Sequence, residues 1–78
     1  MNRDDIKAKV VETVRNLLKV EGEIQDNTSF VKDLACDSLD VVELVMALEE
    51  AFDMTIGDDD IYTIKTVGDI VDYIVNHG

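Results

Sequence analysis

Three side chains between Ser29 and Ser38 are potential nucleophiles: Ser29, Cys36 and Ser38. Each would need a base close by to take its proton. The only histidine, His77, stands one residue from the C-terminal end of the sequence and is a poor candidate for that role. Carboxylates are abundant, but a catalytic pair requires a pocket that raises the pKa of one member. A chain of 78 residues has little room for one, since a domain this small buries only about 60% of the surface its unfolded form exposes. No glycine-rich phosphate loop is present. The acidic segment Asp53 to Ile64 lacks the ligand spacing and central glycine of an EF-hand; Asp58-Asp59-Asp60 reads as the cap of a short helix, with weak attraction of cations as the alternative. A single cysteine, Cys36, allows neither an internal disulfide nor a cysteine-based metal site. The expectation is a non-enzymatic chain with no metal centre.

What remains is the junction Asp33-Leu34-Ala35-Cys36-Asp37-Ser38-Leu39-Asp40. A serine at the start of a helix is most often a cap. Here Asp37 precedes it and is itself an adequate cap, which leaves the Ser38 hydroxyl free to face solvent. A phosphodiester formed there would sit at the positive end of the helix dipole, a gain of about 0.3–1 kcal/mol at an exposed site. That effect tolerates a modification without requiring one, so both readings stand at this point.

The elements that position this junction are helical, and no strand alternation of any length is visible. A first helix is predicted from about Asp4 to Lys19, with Ile6, Val10, Val14, Leu17 and Leu18 at helical spacing. Asp4 and Asp5 fall in its first turn and Lys19 in its last, as the helix dipole favours. A middle helix is predicted from Ser38 to Phe52, a short turn of helix from Asp58 to Ile61 or Tyr62, and a last helix capped by Thr66. In the last, Val67, Ile70, Val71, Ile74 and Val75 form one face, and Thr66 with Asp69 resembles a capping box. The connection Val20 to Asp37 is long for a compact domain and should be anchored; Phe30, Val31 and Leu34 are the expected anchors. There is no proline. The fold class is all-α.

Two apolar stripes run along the middle helix. Val41, Leu44, Val45, Leu48 and Phe52 form one wide enough to close a small core. Leu39, Val42 and Met46 form a second, rotated away from the first and flanked by Asp40, Glu43, Glu49 and Glu50. One helix of so small a domain is unsuited to burying both, and an apolar stripe edged by carboxylates looks like a docking surface. The alternative is that Leu39 and Met46 complete the core.

Charge adds direction. The formal net charge is -11, which disfavours nucleic acid and anionic membranes and points to basic surfaces on proteins or to divalent cations. Arg3, Lys7, Lys9, Arg15 and Lys19 crowd the first helix, whereas no basic residue lies between Lys32 and Lys65. No apolar run approaches the roughly 20 residues needed to span a membrane, and Met1-Asn2-Arg3-Asp4-Asp5 does not read as a signal or transit peptide. A cytoplasmic monomer, a single domain over residues 1–78, is expected.

The stretch from Phe30 to Phe52, with Asp37-Ser38-Leu39 followed by Val-Glu-Leu-Val-Met-Ala-Leu-Glu-Glu, resembles the signature of bacterial acyl carrier proteins of dissociated (type II) fatty acid synthesis. The similarity extends more loosely to length, acidity and the segment Thr66-Val67-Gly68-Asp69. The resemblance implies a four-helix bundle, three main helices plus a short third one, with a long loop between helices one and two. It implies 4'-phosphopantetheine, taken from coenzyme A by a holo-acyl-carrier synthase and attached at Ser38 between Asp37 and Leu39. Acyl intermediates of fatty acid biosynthesis would ride on this arm as thioesters. Leu39, Asp40, Val42, Glu43, Met46, Glu49 and Glu50 match positions that dock onto basic patches of partner enzymes. Phe30, Val45, Leu48, Ile56 and Ile64 are candidates for the lining around the acyl chain. Three positions depart from the family: Ala35 where glycine is usual, Cys36 where a small unreactive residue is common, and Gly57 where proline is common. Attachment at Ser38 would bring the arm's thiol within reach of Cys36, a possible disulfide partner unless that thiol is buried. Competing readings are a carrier for polyketide, lipid A or D-alanyl groups, and an acidic interaction module in which Ser38 is only a cap.

Overall fold

Asn2 starts the first helix: its Oδ1 accepts the Asp5 N–H at 2.8 Å, and Asp4 and Asp5 lie in the turn where the helix dipole favours acids. In the computed structural model, which describes residues 2–77, the elements are α1 (Arg3–Leu18), α2 (Ser38–Phe52), α3 (Asp58–Ile61) and α4 (Val67–His77). This is the four-helix arrangement with a short third helix and a long first loop. Among the described residues the strand-like pairing is confined to an isolated bridge between Ser29 and Thr66.

α1 packs against both α2 and α4. Ile6, Val10 and Val14 are buried, and Leu44 and Leu48 of α2 meet Val67, Ile70 and Val71 of α4 in the same core. Each such side chain contributes about 1.5–3 kcal/mol when fully removed from water. Five expectations are corrected. Asp58-Asp59-Asp60 do not cap the short helix but form its first turn, where the helix dipole favours acids, and the N-cap is Gly57 with no side-chain hydrogen bond. Lys19 lies past the last turn and closes α1 at φ 54°, in the left-handed region. Leu17 is half-exposed because Ile6, Val10, Val14 and Leu18 are successive i+4 steps and Leu17 falls beside that row. Val75 is exposed along a shallow depression with Ile6, Lys9 and Phe52. Val31 does not anchor the long loop: it projects outward from a turn over residues 30–33, while Phe30 and Ile24 are buried.

The long loop is held mainly by what it does for α4. The first N–H groups of any helix lack partners within it. At α4 every one finds a partner. Thr66 N–H donates to Asp69 Oδ2 at 3.1 Å and Asp69 N–H to Thr66 Oγ1 at 3.2 Å, a reciprocal capping box. Val67 N–H donates to the Thr28 carbonyl at 3.0 Å and Gly68 N–H to the Asp26 carbonyl at 2.7 Å. Phe30 N–H adds a bond to the Lys65 carbonyl at 3.1 Å. Gly68 is required by this approach, because a Cβ there would lie 2.9 Å from the Asp26 carbonyl oxygen.

Asp26 also faces α1. Its carboxylate lies 3.0 Å from Arg3 Nη2 and 2.9 Å from Lys7 Nζ, and Arg3 Nε reaches Asp72 of α4 at 3.1 Å. Hydrogen bonds from Lys7 and then Arg3 hold the Asp26 carboxyl below its ordinary pKa. A carboxyl whose pKa is depressed by folding stabilises the fold above its unfolded pKa, about 3.9. That contribution is lost as pH falls through the lower folded value. Urea unfolding of wild type and Asp26→Asn should therefore differ by a constant amount from neutral pH down to about pH 4, the unfolded carboxyl pKa. Below that the two curves should converge, as the protonated carboxyl comes to resemble the amide. A gap that persisted into strong acid would mean that Asp26 acts through something other than its charge.

Candidate functional site

The chain enters α2 through a tight turn held by several hydrogen bonds. Ser29 N–H donates to Asp33 Oδ2 at 2.7 Å, the Asp33 and Leu34 N–H groups donate to the Ser29 carbonyl, and Cys36 N–H donates to the Phe30 carbonyl at 2.8 Å. Ala35 makes the final reversal at φ 54°, in the left-handed region that costs a residue with a Cβ about 1–2 kcal/mol. Glycine is usual at this position in the family that the sequence resembles, and the conformation supplies the reason.

Asp37 then caps α2. Its Oδ1 accepts the Asp40 N–H at 2.9 Å, and Asp40 Oδ2 accepts the Asp37 N–H at 3.3 Å. With Asp37 in that role, Ser38 occupies the first helical position with an exposed side chain, and its hydroxyl forms no hydrogen bond to a described residue. Cys36 is close in sequence but buried. Desolvation first, and then the Asp40 and Asp37 charges, push its thiol pKa up. A buried, protonated thiol is a poor nucleophile, so the geometry favours an inert Cys36.

Beside Ser38 lies a groove of about 790 Å³. Phe30, Cys36, Val41, Ile61 and Ile64 give it an apolar floor and walls, Val31, Val42 and Tyr62 stand at its open side, and Lys32 and Lys65 are at its rim. Of the residues named for cargo, Phe30 and Ile64 border it. Val45, Leu48 and Ile56 are buried in the core and do not border it. Val41, Ile61 and Tyr62 were not singled out as lining from the sequence. A signal existed for Tyr62, an aromatic residue two positions after the acidic run Asp58 to Asp60 with no core stripe to join; it is 81% exposed.

The second stripe of α2 is on the surface: Leu39 is 66% exposed, Val42 43% and Met46 61%. They do not complete the core. Glu43 and Glu50 are exposed next to them, Asp40 is engaged in the capping box, and Glu49 is half-buried with Oε2 accepting the Ile56 N–H at 2.8 Å. The ion pairs among the described residues all involve Arg3 or Lys7, so the carboxylates from Asp33 to Asp60 have no cationic partner there. Among the described residues no group of three or more His, Cys, Asp or Glu is arranged to hold a metal ion, and no helix is long and apolar enough to cross a membrane. His77 stacks on Tyr73 at 4.1 Å between ring centroids, distant in sequence from the Ser38 junction.

Residues 8–74 match the family described as the phosphopantetheine attachment site. An acyl carrier protein from Sulfurovum sp. is 52% identical over 73 residues, covering 94% of this chain and 93% of its own length. One from Prochlorococcus marinus is 51% identical over 75 residues, covering 95% and 94%. A solved structure from Mycobacterium tuberculosis, designated an acyl carrier protein, superimposes with a TM-score of 0.86 at 32% identity and covers 91% of this chain and 96% of its own.

Two outcomes follow from the site's strain and charge. Ala35→Gly should stabilise the fold by about 0.5–1 kcal/mol, the left-handed penalty less the added freedom of the unfolded chain. A urea midpoint that rises with an unchanged slope is the expected result. Raising ionic strength to about 0.15 M shortens the screening length to about 8 Å, so the melting temperature should rise as repulsion among the carboxylates between Asp33 and Asp60 weakens. Millimolar magnesium should act in the same direction. A flat or falling melting temperature would show that this repulsion is not a significant cost.

Proposed function

The chain belongs to the acyl carrier proteins, and on that premise we propose that Ser38 is the attachment point of its 4'-phosphopantetheine and that the pathway it serves is fatty acid synthesis. Proteins of this family are carriers rather than catalysts, and we extend that to this chain. When bound, the prosthetic group supplies a terminal thiol that holds an acyl group as a thioester. The observation that carries the assignment is the exposed Ser38 hydroxyl, which has no hydrogen bond among the described residues and directly follows a helix cap supplied by another residue. Were Ser38 the cap, modifying it would strip a hydrogen bond from α2. With Asp37 capping, the helix is complete whether or not Ser38 carries anything.

The surrounding residues fit that group. The first turn of α2 offers the positive end of the helix dipole to a phosphodiester. Leu39 and Asp37 flank the serine, Asp37 fixing the backbone from which its hydroxyl projects. The groove that begins at Ser38 and runs past Val41 to Phe30, Ile61 and Ile64 offers an apolar seat for an acyl chain; Val45, Leu48 and Ile56 lie deeper and would be reached only if the helices part.

For partners, the reading is a holo-acyl-carrier synthase and the enzymes of fatty acid synthesis, each presenting a basic and apolar patch. Leu39, Val42 and Met46 provide the apolar contact, and Glu43 and Glu50 the unpaired charge; Asp40 and Glu49 contribute to the same negative field while also fixing local backbone. Such contacts form quickly through electrostatic steering and dissociate quickly, as suits a carrier that must leave each enzyme. A cytoplasmic monomer, with the whole chain acting as one carrier domain, completes the reading.

Intact mass tests it. After incubation with coenzyme A and a broad-specificity phosphopantetheinyl transferase, the wild type should gain the mass of one phosphopantetheine and Ser38→Ala should gain none. A gain in Ser38→Ala would move the attachment elsewhere, and no gain in either folded protein would remove the assignment of Ser38.

A further inference from the structure

α3 forms one wall of the groove beside Ser38, through Asp58 and Ile61, with Tyr62 directly after it. It is four residues long, contains no buried residue and has no side-chain cap. A helix of this length has no stability of its own. Its flanks are pinned, since Ile56 and Ile64 are buried and Ile56 N–H donates to Glu49 Oε2. Between those two points one side-chain hydrogen bond joins α3 to another helix among the described residues: Tyr73 of α4 donates its phenolic O–H to Asp60 Oδ2 at 2.9 Å.

Two further features prepare that bond. The Tyr73 ring is stacked on His77 with 14° between the planes, so its hydroxyl is aimed before α3 arrives. Gly57 leaves space for the acceptor: its φ is -63°, which any residue adopts, yet a Cβ there would lie 3.2 Å from Asp60 Oδ2. The missing side chain serves the carboxylate and not the backbone. Hydrogen bonding to Asp60 also raises the Tyr73 pKa, keeping the phenol protonated as the donor.

We propose that Tyr73 is a positioning residue that latches α3 through Asp60, holding the groove wall closed between the pinned ends at Ile56 and Ile64 and thereby limiting the length of acyl chain the groove accepts. The inference rests on the groove being the seat of the cargo. Breaking the latch frees the wall while leaving the core and the Ser38 junction in place.

Amide hydrogen exchange on the unmodified full chain reads the latch without any cargo. In Tyr73→Phe, which keeps the ring and its stack on His77, the Ile61, Thr63 and Ile64 amides should exchange about tenfold faster, the scale of losing a hydrogen bond to a charged group. The Leu44 and Leu48 amides, which report unfolding of the core, should change much less. Asp60→Ala should reproduce the effect, the double variant should add nothing to it, and Asp60→Asn, which retains an acceptor oxygen, should restore protection. Unchanged α3 exchange in Tyr73→Phe, or acceleration shared equally by the α2 amides, would overturn the latch.

The cargo half is read on protein loaded with octanoyl, dodecanoyl or hexadecanoyl groups, by the rate at which hydroxylamine cleaves the thioester. Wild type should protect the shorter chains better than the longest, and Tyr73→Phe should shift that limit toward longer chains. An identical length profile in both proteins would overturn the role in limiting cargo. No length dependence in either would overturn the groove as the seat of the chain, and this role with it, while leaving the attachment at Ser38 to be judged by mass alone.

Discussion

The docking of two loop carbonyls onto the first turn of α4 is the constraint on which the rest of this molecule depends. Asp26 and Thr28 satisfy the N–H groups of Gly68 and Val67, donors that would otherwise be left unpaired at a buried helix start. The same aspartate holds Arg3 and Lys7 with its carboxylate, so one residue joins the loop to two helices. Once the loop is fixed at Asp26 and Thr28, Phe30 enters the core, the turn at Ser29–Asp33 follows, and Ala35 directs the chain into α2. The position of Ser38 is thus inherited from contacts that begin twelve residues upstream of it, at Asp26.

Charge is divided in a way that serves carriage at some expense to stability. Among the described residues the ion pairs are concentrated where the loop meets α1 and α4, and the carboxylates from Asp33 to Asp60 have no cationic partner. An arrangement with mixed signs would repel itself less. Glu43 and Glu50, which have no cationic partner among the described residues and stand next to Leu39, Val42 and Met46, maintain a negative field that reaches over distances comparable to the screening length. The carboxylates with structural duties, Asp37, Asp40 and Glu49, bind backbone N–H groups and still contribute to that field.

The two sides of the groove differ in kind. On one side α2 is a 15-residue helix with a complete capping box and three buried core residues. On the other, α3 is a single turn with no buried residue. Local stability within a fold follows buried apolar contact, so any opening of the groove falls to the α3 side. The α2 side, which begins at Ser38, is the rigid wall, and the α3 side is the one that yields.

The sequence by itself determined the helices, because their signals are local. Apolar spacing, Asp37 before Ser38, Thr66 before Asp69 and Asp58 at the start of a short acidic turn act over a few residues, and α2 was legible to its terminal residues. The exposed stripe of Leu39, Val42 and Met46 was legible for the same reason, since one helix face cannot share the orientation of another. Tertiary structure alone decided which side chains meet across the chain. Nothing local distinguishes Val31, which faces solvent, from Ile24, which is buried, or shows that Gly68 must lack a side chain because the Asp26 carbonyl lies against it. The groove lining and the Tyr73–Asp60 bond belong to the same class. Such contacts join residues far apart in sequence, and their geometry is defined only once the helices have packed and the loop has been fixed between them.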